Sequence, residues 1–173
     1  MKKLLLLCMF TLALFSAACS HGEKMEKPVA FFFLNSQITY GAEDGVFSSE
    51  ERECTGLSTE EILRMYLKGP ETPELISPFP ANTFLISLLV SESDITITLS
   101  DSYAHLTGLE LTKANACIAK TLFAFSQADR VIICCESKPL NGETRIQLTR
   151  SDLIFVDQSI GSATKSIPET TQE

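Results

Sequence analysis

The sequence has no tryptophan, only two histidines, and no pair of cysteines spaced two residues apart. Without a C-x₂-C pair, and with only His21 and His105 to add ligands, it matches no structural zinc pattern. It also lacks an excess of positive charge: 14 Lys and Arg stand against 22 Asp and Glu, a formal net charge of −8. That balance argues against a nucleic-acid binder, which needs a basic stripe. It also argues against an electrostatic grip on anionic lipid. No phosphate loop, dinucleotide fingerprint or G-x-S-x-G elbow is present. The missing tryptophan removes the side chain best suited to stacking on sugar rings, leaving Tyr and Phe for that task.

One long apolar run is present, at the start. Met1-Lys2-Lys3 precedes Leu4 to Phe15, which Thr11 alone interrupts and which is short for a bilayer span. Ser16-Ala17-Ala18-Cys19 follows, small residues and then a thiol. A positive start, an apolar middle and a small-residue cleavage site make a secretory signal. The cysteine placed there resembles the lipobox of bacterial lipoproteins, although Ser16 stands where that pattern usually has a larger apolar residue. The resemblance implies cleavage between Ala18 and Cys19 and acylation of Cys19. The protein would then sit on the extracytoplasmic face of the bacterial membrane, held by its lipid. Residues 1–18 are the expected signal peptide, 19–28 a polar tether, 29–157 the domain, and 158–173 a disordered polar tail. Cleavage would remove Lys2 and Lys3 and bring the mature charge near −10, two below −8.

Export permits disulfides among Cys54, Cys117, Cys134 and Cys135. Their first reading is as small buried hydrophobes. One disulfide, or a metal or redox role, are the alternatives.

Periodicity places the elements. Val29 to Leu34 is a strand-length apolar run, with Ile38 to Tyr40 expected either to pair with it or to extend it. Gly41 to Glu53 is acidic and turn-rich, with room for a short edge strand around Val46 and Phe47. Ser58 and Glu61 form a capping box ahead of a stripe at Ile62, Leu63, Tyr66 and Leu67, and Gly69-Pro70 stops the helix. Four prolines fall between Tyr66 and Pro80 and hold that stretch extended or turned, with Leu75, Ile76 and Phe79 expected at the core edge. Phe84 to Val90 and Ile95 to Leu99 should form an antiparallel hairpin. A second helix should start near Thr107, with Glu110 completing another capping box. Its expected stripe is Ala114, Cys117, Ile118, Thr121, Leu122 and Phe125. Val131 to Cys135 reads as a buried strand, Asn141-Gly142 as a tight turn, and Ile146 and Leu148 as one face of another strand; Leu153 to Val156 is a last apolar segment. The order predicts an α+β fold, a mainly antiparallel sheet with two helices packed on one face.

Several short motifs then coincide: Leu67-Lys68-Gly69-Pro70, Ser77-Pro78-Phe79-Pro80, Thr83 with Leu85, the hairpin ending Leu99-Ser100, Ala119-Lys120-Thr121-Leu122 and Asn141-Gly142. In this order they resemble the GerMN domain of bacterial sporulation and spore-germination proteins. Tyr40-Gly41-Ala42-Glu43-Asp44-Gly45 resembles a stretch found in small lipoproteins of that family. The resemblance covers about 29–157, in one copy where some members carry two. It is similar in turn to ring-building domains of the sporulation secretion apparatus, and implies a scaffold or assembly role with another envelope protein as partner.

The residues offer little for catalysis. Ser77 has no evident base, and His105 lies near Asp101, Ser102 and Tyr103 in a stretch better read as a loop, with Ser100 and Asp101 capping the strand end. No catalytic residue, metal site or cofactor is therefore expected. The expected role is a membrane-anchored, non-catalytic interaction module, with a binding module for a small envelope ligand or wall polymer as the alternative. The candidate partner surface is the acidic segment with Glu43, Asp44, Glu50, Glu51 and Glu53.

Overall fold

The structure is a computed structural model that describes residues 25, 27–36 and 45–153. The signal peptide with Ala18 and Cys19, the residues Ile38 to Asp44, and the tail from 154 lie outside the described residues.

Strand β1 (Val29–Asn35) alternates as its sequence demands: Val29, Phe31 and Phe33 are buried, while Ala30, Phe32 and Leu34 are half-buried. It pairs antiparallel with β2 (Phe47–Arg52), from Val29 opposite Arg52 to Leu34 opposite Phe47. The short edge strand expected in the acidic segment is therefore present.

Helix α1 (Thr59–Tyr66) carries the expected capping box. The Glu61 N–H donates to Ser58 Oγ at 3.3 Å, and the Ser58 N–H donates to Glu61 Oε2 at 2.8 Å. Ile62, Leu63 and Tyr66 form its buried stripe. The helix ends where Gly69 takes φ +98°, a left-handed conformation that costs a residue without Cβ nothing. Because the cap satisfies a terminal N–H, Ser58→Ala is expected to destabilise the domain by about 1 kcal/mol in urea unfolding. An unchanged midpoint would mean that solvent or Glu61 replaces the hydroxyl.

The proline-rich elbow after α1 is structural. It contributes a two-residue strand, β3 (Leu75–Ile76), which pairs with Leu34 and Asn35 to complete a three-stranded sheet in the order β2-β1-β3. Leu75 turns toward the core, but Ile76 is 51% exposed, because alternation in so short a strand sends neighbours to opposite faces. Phe79 enters an aromatic chain, 5.1 Å from the Tyr66 ring and 6.5 Å from that of Tyr103.

Strands β4 (Leu85–Val90) and β5 (Asp94–Leu99) form the expected antiparallel hairpin, with a register shift between Leu85 and Ser87. Helix α2 (Gly108–Phe125) then crosses over, so β6 (Arg130–Cys135) pairs parallel to β5. The Asn141-Gly142 turn has positive φ at both residues, the type I′ pattern, and β7 (Ile146–Thr149) returns antiparallel to β6. Arg150 to Leu153 are helical. Thr107 is the N-cap of α2 as expected, yet its side chain makes no capping hydrogen bond.

The molecule is thus α+β with mainly antiparallel strands. Two features exceed the sequence reading: the strands divide into two sheets, and the second, β4-β5-β6-β7, contains a parallel pair. Helix α2 packs against β1 of the first sheet and β6 of the second. Burial therefore extends beyond a single stripe, to Ala116, Ala119 and Phe123 as well as Ala114, Ile118 and Leu122. The uncovered middle of β1 is closed by side chains. The Phe32 N–H donates to Thr121 Oγ1 at 2.9 Å, and the Tyr66 hydroxyl donates to the Phe32 carbonyl at 2.7 Å.

Candidate functional site

The acidic residues chosen from sequence do different things. Glu43 and Asp44 lie outside the described residues. Glu51 and Glu53 are exposed, and Glu53 accepts from the Thr55 N–H and hydroxyl. Glu50 is a scaffold residue whose side chain is only 8% exposed. It pairs with Arg52 and accepts the N–H groups of Glu71 (3.1 Å) and Thr72 (2.9 Å) at the start of the elbow. Burial pushes its pKa up, but hydrogen bonds from the Thr72 side chain, the Glu71 and Thr72 N–H groups and Arg52 outweigh that and hold it at about 2. Arg52 in turn donates to the Gly69 carbonyl at 2.7 Å and lies 5.0 Å from the centre of the Phe31 ring. Glu50 therefore clamps the elbow to β2.

The residues weighed for catalysis are also occupied by structure. Ser77 Oγ accepts the Phe79 N–H at 3.2 Å. Ser100 Oγ donates to the Asn82 carbonyl at 2.9 Å and accepts the Phe84 N–H at 3.1 Å, so it clasps the root of the hairpin. Asp101 receives the Ser137 hydroxyl and N–H and the Lys138 N–H, which lower its pKa and tie the end of β5 to the loop after β6. His105 is an exposed residue of a short 3₁₀ turn, Tyr103–His105. All four described cysteines are free thiols. Burial raises the pKa of Cys54 and Cys117, and burial followed by the charge of Asp101 pushes Cys135 to about 11, which keeps these sulfurs protonated near neutrality. Among the described residues no group of three His, Cys, Asp or Glu is placed to hold a metal ion.

The distinctive surface lies elsewhere, on β4, an end strand of its sheet. The run Phe84 to Val90 contains no charge and no proline, the usual protection of an open edge. Leu89 is 68% exposed and Val90 and Phe84 each 53%. Near the start of the strand, Arg64 of α1 donates to the Leu85 carbonyl at 3.2 Å. At its far end, Ser91 donates its N–H to the Asp94 carbonyl across the turn. Alternation of hydrogen-bonded and open pairs then turns the N–H and C=O of Leu88 and Val90 away from β5. Beside this half of the strand lies an open groove of about 710 Å³, between the start of α1 (Ser58, Glu60) and the end of α2 (Phe125, Ala128). Sequence reasoning missed it: the signal was present in the unbroken apolar run, but such a run does not say which side stays open.

These features define an α+β domain with a closed internal scaffold and one apolar, unprotected edge strand beside a groove. The family model for sporulation and spore germination, Germane, matches residues 31–141, and the chain belongs to that family. The tandem GerMN domains of the sporulation protein GerM from Bacillus subtilis superpose with a TM-score of 0.54 at 17% identity, over 73% of this chain and 47% of that one. The chain thus spans about half the length of that tandem protein and shares its fold. A Clostridium perfringens protein described as a lipoprotein aligns with a TM-score of 0.45 at 17% identity, over 75% of this chain and 93% of that one. No curated protein matches the chain. Among the described residues no helix is long and apolar enough to cross a membrane.

Proposed function

We propose that this protein is a lipid-anchored, extracytoplasmic interaction module, without catalytic activity, serving sporulation, spore germination or envelope assembly. Cleavage after Ala18 and acylation of Cys19 supply the anchor, and two or three acyl chains at about 0.8 kcal/mol per buried CH₂ hold a domain of this size on a membrane. The observation that carries the interaction role is the uncharged β4 edge, with Leu89 and Val90 exposed beside the groove. An extended segment of another envelope protein can add to such an edge, its backbone bonding to Leu88 and Val90 and its side chains entering the groove. A second reading, a wall polymer or small envelope ligand, draws support from the groove's volume and from Ser58, Thr59, Ser91 and Gln127 in its lining.

In-cell crosslinking followed by purification and mass spectrometry tests the proposal. The expected result is a protein partner recovered with the wild type and lost with Leu89→Asp. Cys19→Ala should abolish the lipid and the recovery together. Retention of the partner by Leu89→Asp and its loss on charge reversal at Glu51 and Glu53 would move the docking face to the acidic segment. Co-purifying glycan without protein would favour the second reading. An unacylated N-terminus elsewhere in the wild type would remove the anchor.

A further inference from the structure

The open part of β4 is short and symmetric. The Arg64 bond to the Leu85 carbonyl occupies the start of the strand, and the turn from Ser91 to Asp94 closes its end. Between them the N–H and C=O groups of Leu88 and Val90 point outward, one residue on each side of Leu89. Leu89 lies opposite Thr96 on β5, and among the described residues it is the most exposed large apolar side chain.

Charge is confined to the two ends of this edge, with opposite signs. Phe84 to Ser91 carries none. Arg64 stands at the start, where it donates to the Leu85 carbonyl once and to Glu60 through Nε and Nη2. A guanidinium has five N–H donors, so Arg64 keeps capacity for a further acceptor. Glu92 stands in the turn at the far end, exposed and lining the groove.

A second copy of the same strand complements this pattern. About a two-fold axis at Leu89, Leu88 of one copy faces Val90 of the other, and each such pair exchanges both of its backbone bonds. The two Leu89 side chains meet at the axis as a non-hydrogen-bonded pair, with Cα atoms about 4.5 Å apart. Antiparallel pairing lays the end of one strand against the start of the other, which brings each Glu92 toward the Arg64 end of the other copy. The chain has a formal net charge of −8, so two copies repel over most of their surface. An uncharged edge with crossed charges at its ends is where that repulsion is least.

We propose that β4 pairs antiparallel with the β4 of a second copy, in a two-fold dimer that joins the two four-stranded sheets into one. This rests on the reading of β4 as the docking edge, and the second copy is its resting occupant, which the strand of an envelope partner displaces. It also accounts for an edge without charge or proline: a strand covered by its own twin needs neither. So short a contact makes a weak dimer, and tethering both copies to one surface raises their effective concentration.

Disulfide trapping in cells producing the full-length protein tests the arrangement, with the thiol oxidant diamide and non-reducing gels. Leu89→Cys is expected to give several-fold more linked dimer than the wild type, whose native thiols set the background. It should exceed Glu143→Cys by as much, an exposed position in the turn before β7 at the opposite edge of the sheet. The same two-fold places position 87 opposite position 91. Ser87→Cys and Ser91→Cys combined in one chain should therefore give dimer, while neither alone exceeds the wild type. Glu92→Lys should lower the yield at position 89 several-fold. All of these changes lie at exposed positions. Equal yields at 89 and 143 would overturn the proposal. So would either serine variant alone matching the pair, since the register would then differ, or an unchanged yield with Glu92→Lys. A Leu89→Cys disulfide to a different protein, without dimer, would also overturn it while leaving β4 as a docking edge. Trapping reads contact between copies and the partner crosslinking reads the edge itself, so the two readings fail separately.

Discussion

Replacing Glu50 with Gln is expected to destabilise the domain at neutral pH by about 1–3 kcal/mol, through the loss of charge-assisted hydrogen bonds to a carboxylate held at about 2 instead of its ordinary 4.5. The sign follows from linkage. A carboxyl whose pKa is depressed by folding contributes fully above its unfolded value, and the contribution disappears as pH falls through the folded one. Wild type and Glu50→Gln should therefore differ most above about pH 5 and converge toward pH 2. Urea unfolding of both proteins across that range measures the difference directly. Asp94, Asp101 and Asp152 also have lowered pKa values, but they are common to both proteins and cancel. Parallel pH profiles for the two proteins would show that Glu50 is not the clamp. Glu50→Ala should cost more, about 3–5 kcal/mol, because it also leaves the Arg52 guanidinium, 8% exposed, without its partner. Its effect should be read at the elbow, where hydrogen exchange at the Glu71 and Thr72 amides rises ahead of global unfolding.

The second large effect is expected where β1 is closed by side chains instead of by another strand. Thr121→Val keeps shape and burial but removes the acceptor of the Phe32 N–H, leaving a part-buried donor unpaired at about 1–2 kcal/mol. Tyr66→Phe does the same for the Phe32 carbonyl. Both act on one residue's peptide groups, so a double-mutant cycle should return a coupling energy and not a simple sum. Losses within about 0.5 kcal/mol of zero for both variants, with faster exchange at the Phe32 amide, would mean that water replaces the side chains at this edge.

Much of the local structure was legible. The capping box at Ser58 and Glu61, the stop at Gly69-Pro70, the β4–β5 hairpin and the type I′ turn at Asn141-Gly142 each depend on residues within a few positions of one another. The family likeness was legible for the same reason: it is an ordered series of such short motifs. The candidate site was not. Glu50 looked like part of an acidic surface because its neighbours Glu51 and Glu53 are exposed, while the groups that draw it inward, at Glu71 and Thr72, lie 21 and 22 residues away. Likewise Phe84 to Val90 is apolar at nearly every position, so no alternation separates the face that packs from the edge that stays open.

By itself, then, the sequence determined the order of the main elements, the α+β class and the family, all of which follow from local spacing and composition. Tertiary structure alone decided three things: the division of the strands into two sheets, both packed against α2; the use of Glu50 as a clamp; and the exposure of β4 beside a groove. Each depends on where distant segments meet. That is set by summed burial over the whole core, which no short window of residues contains.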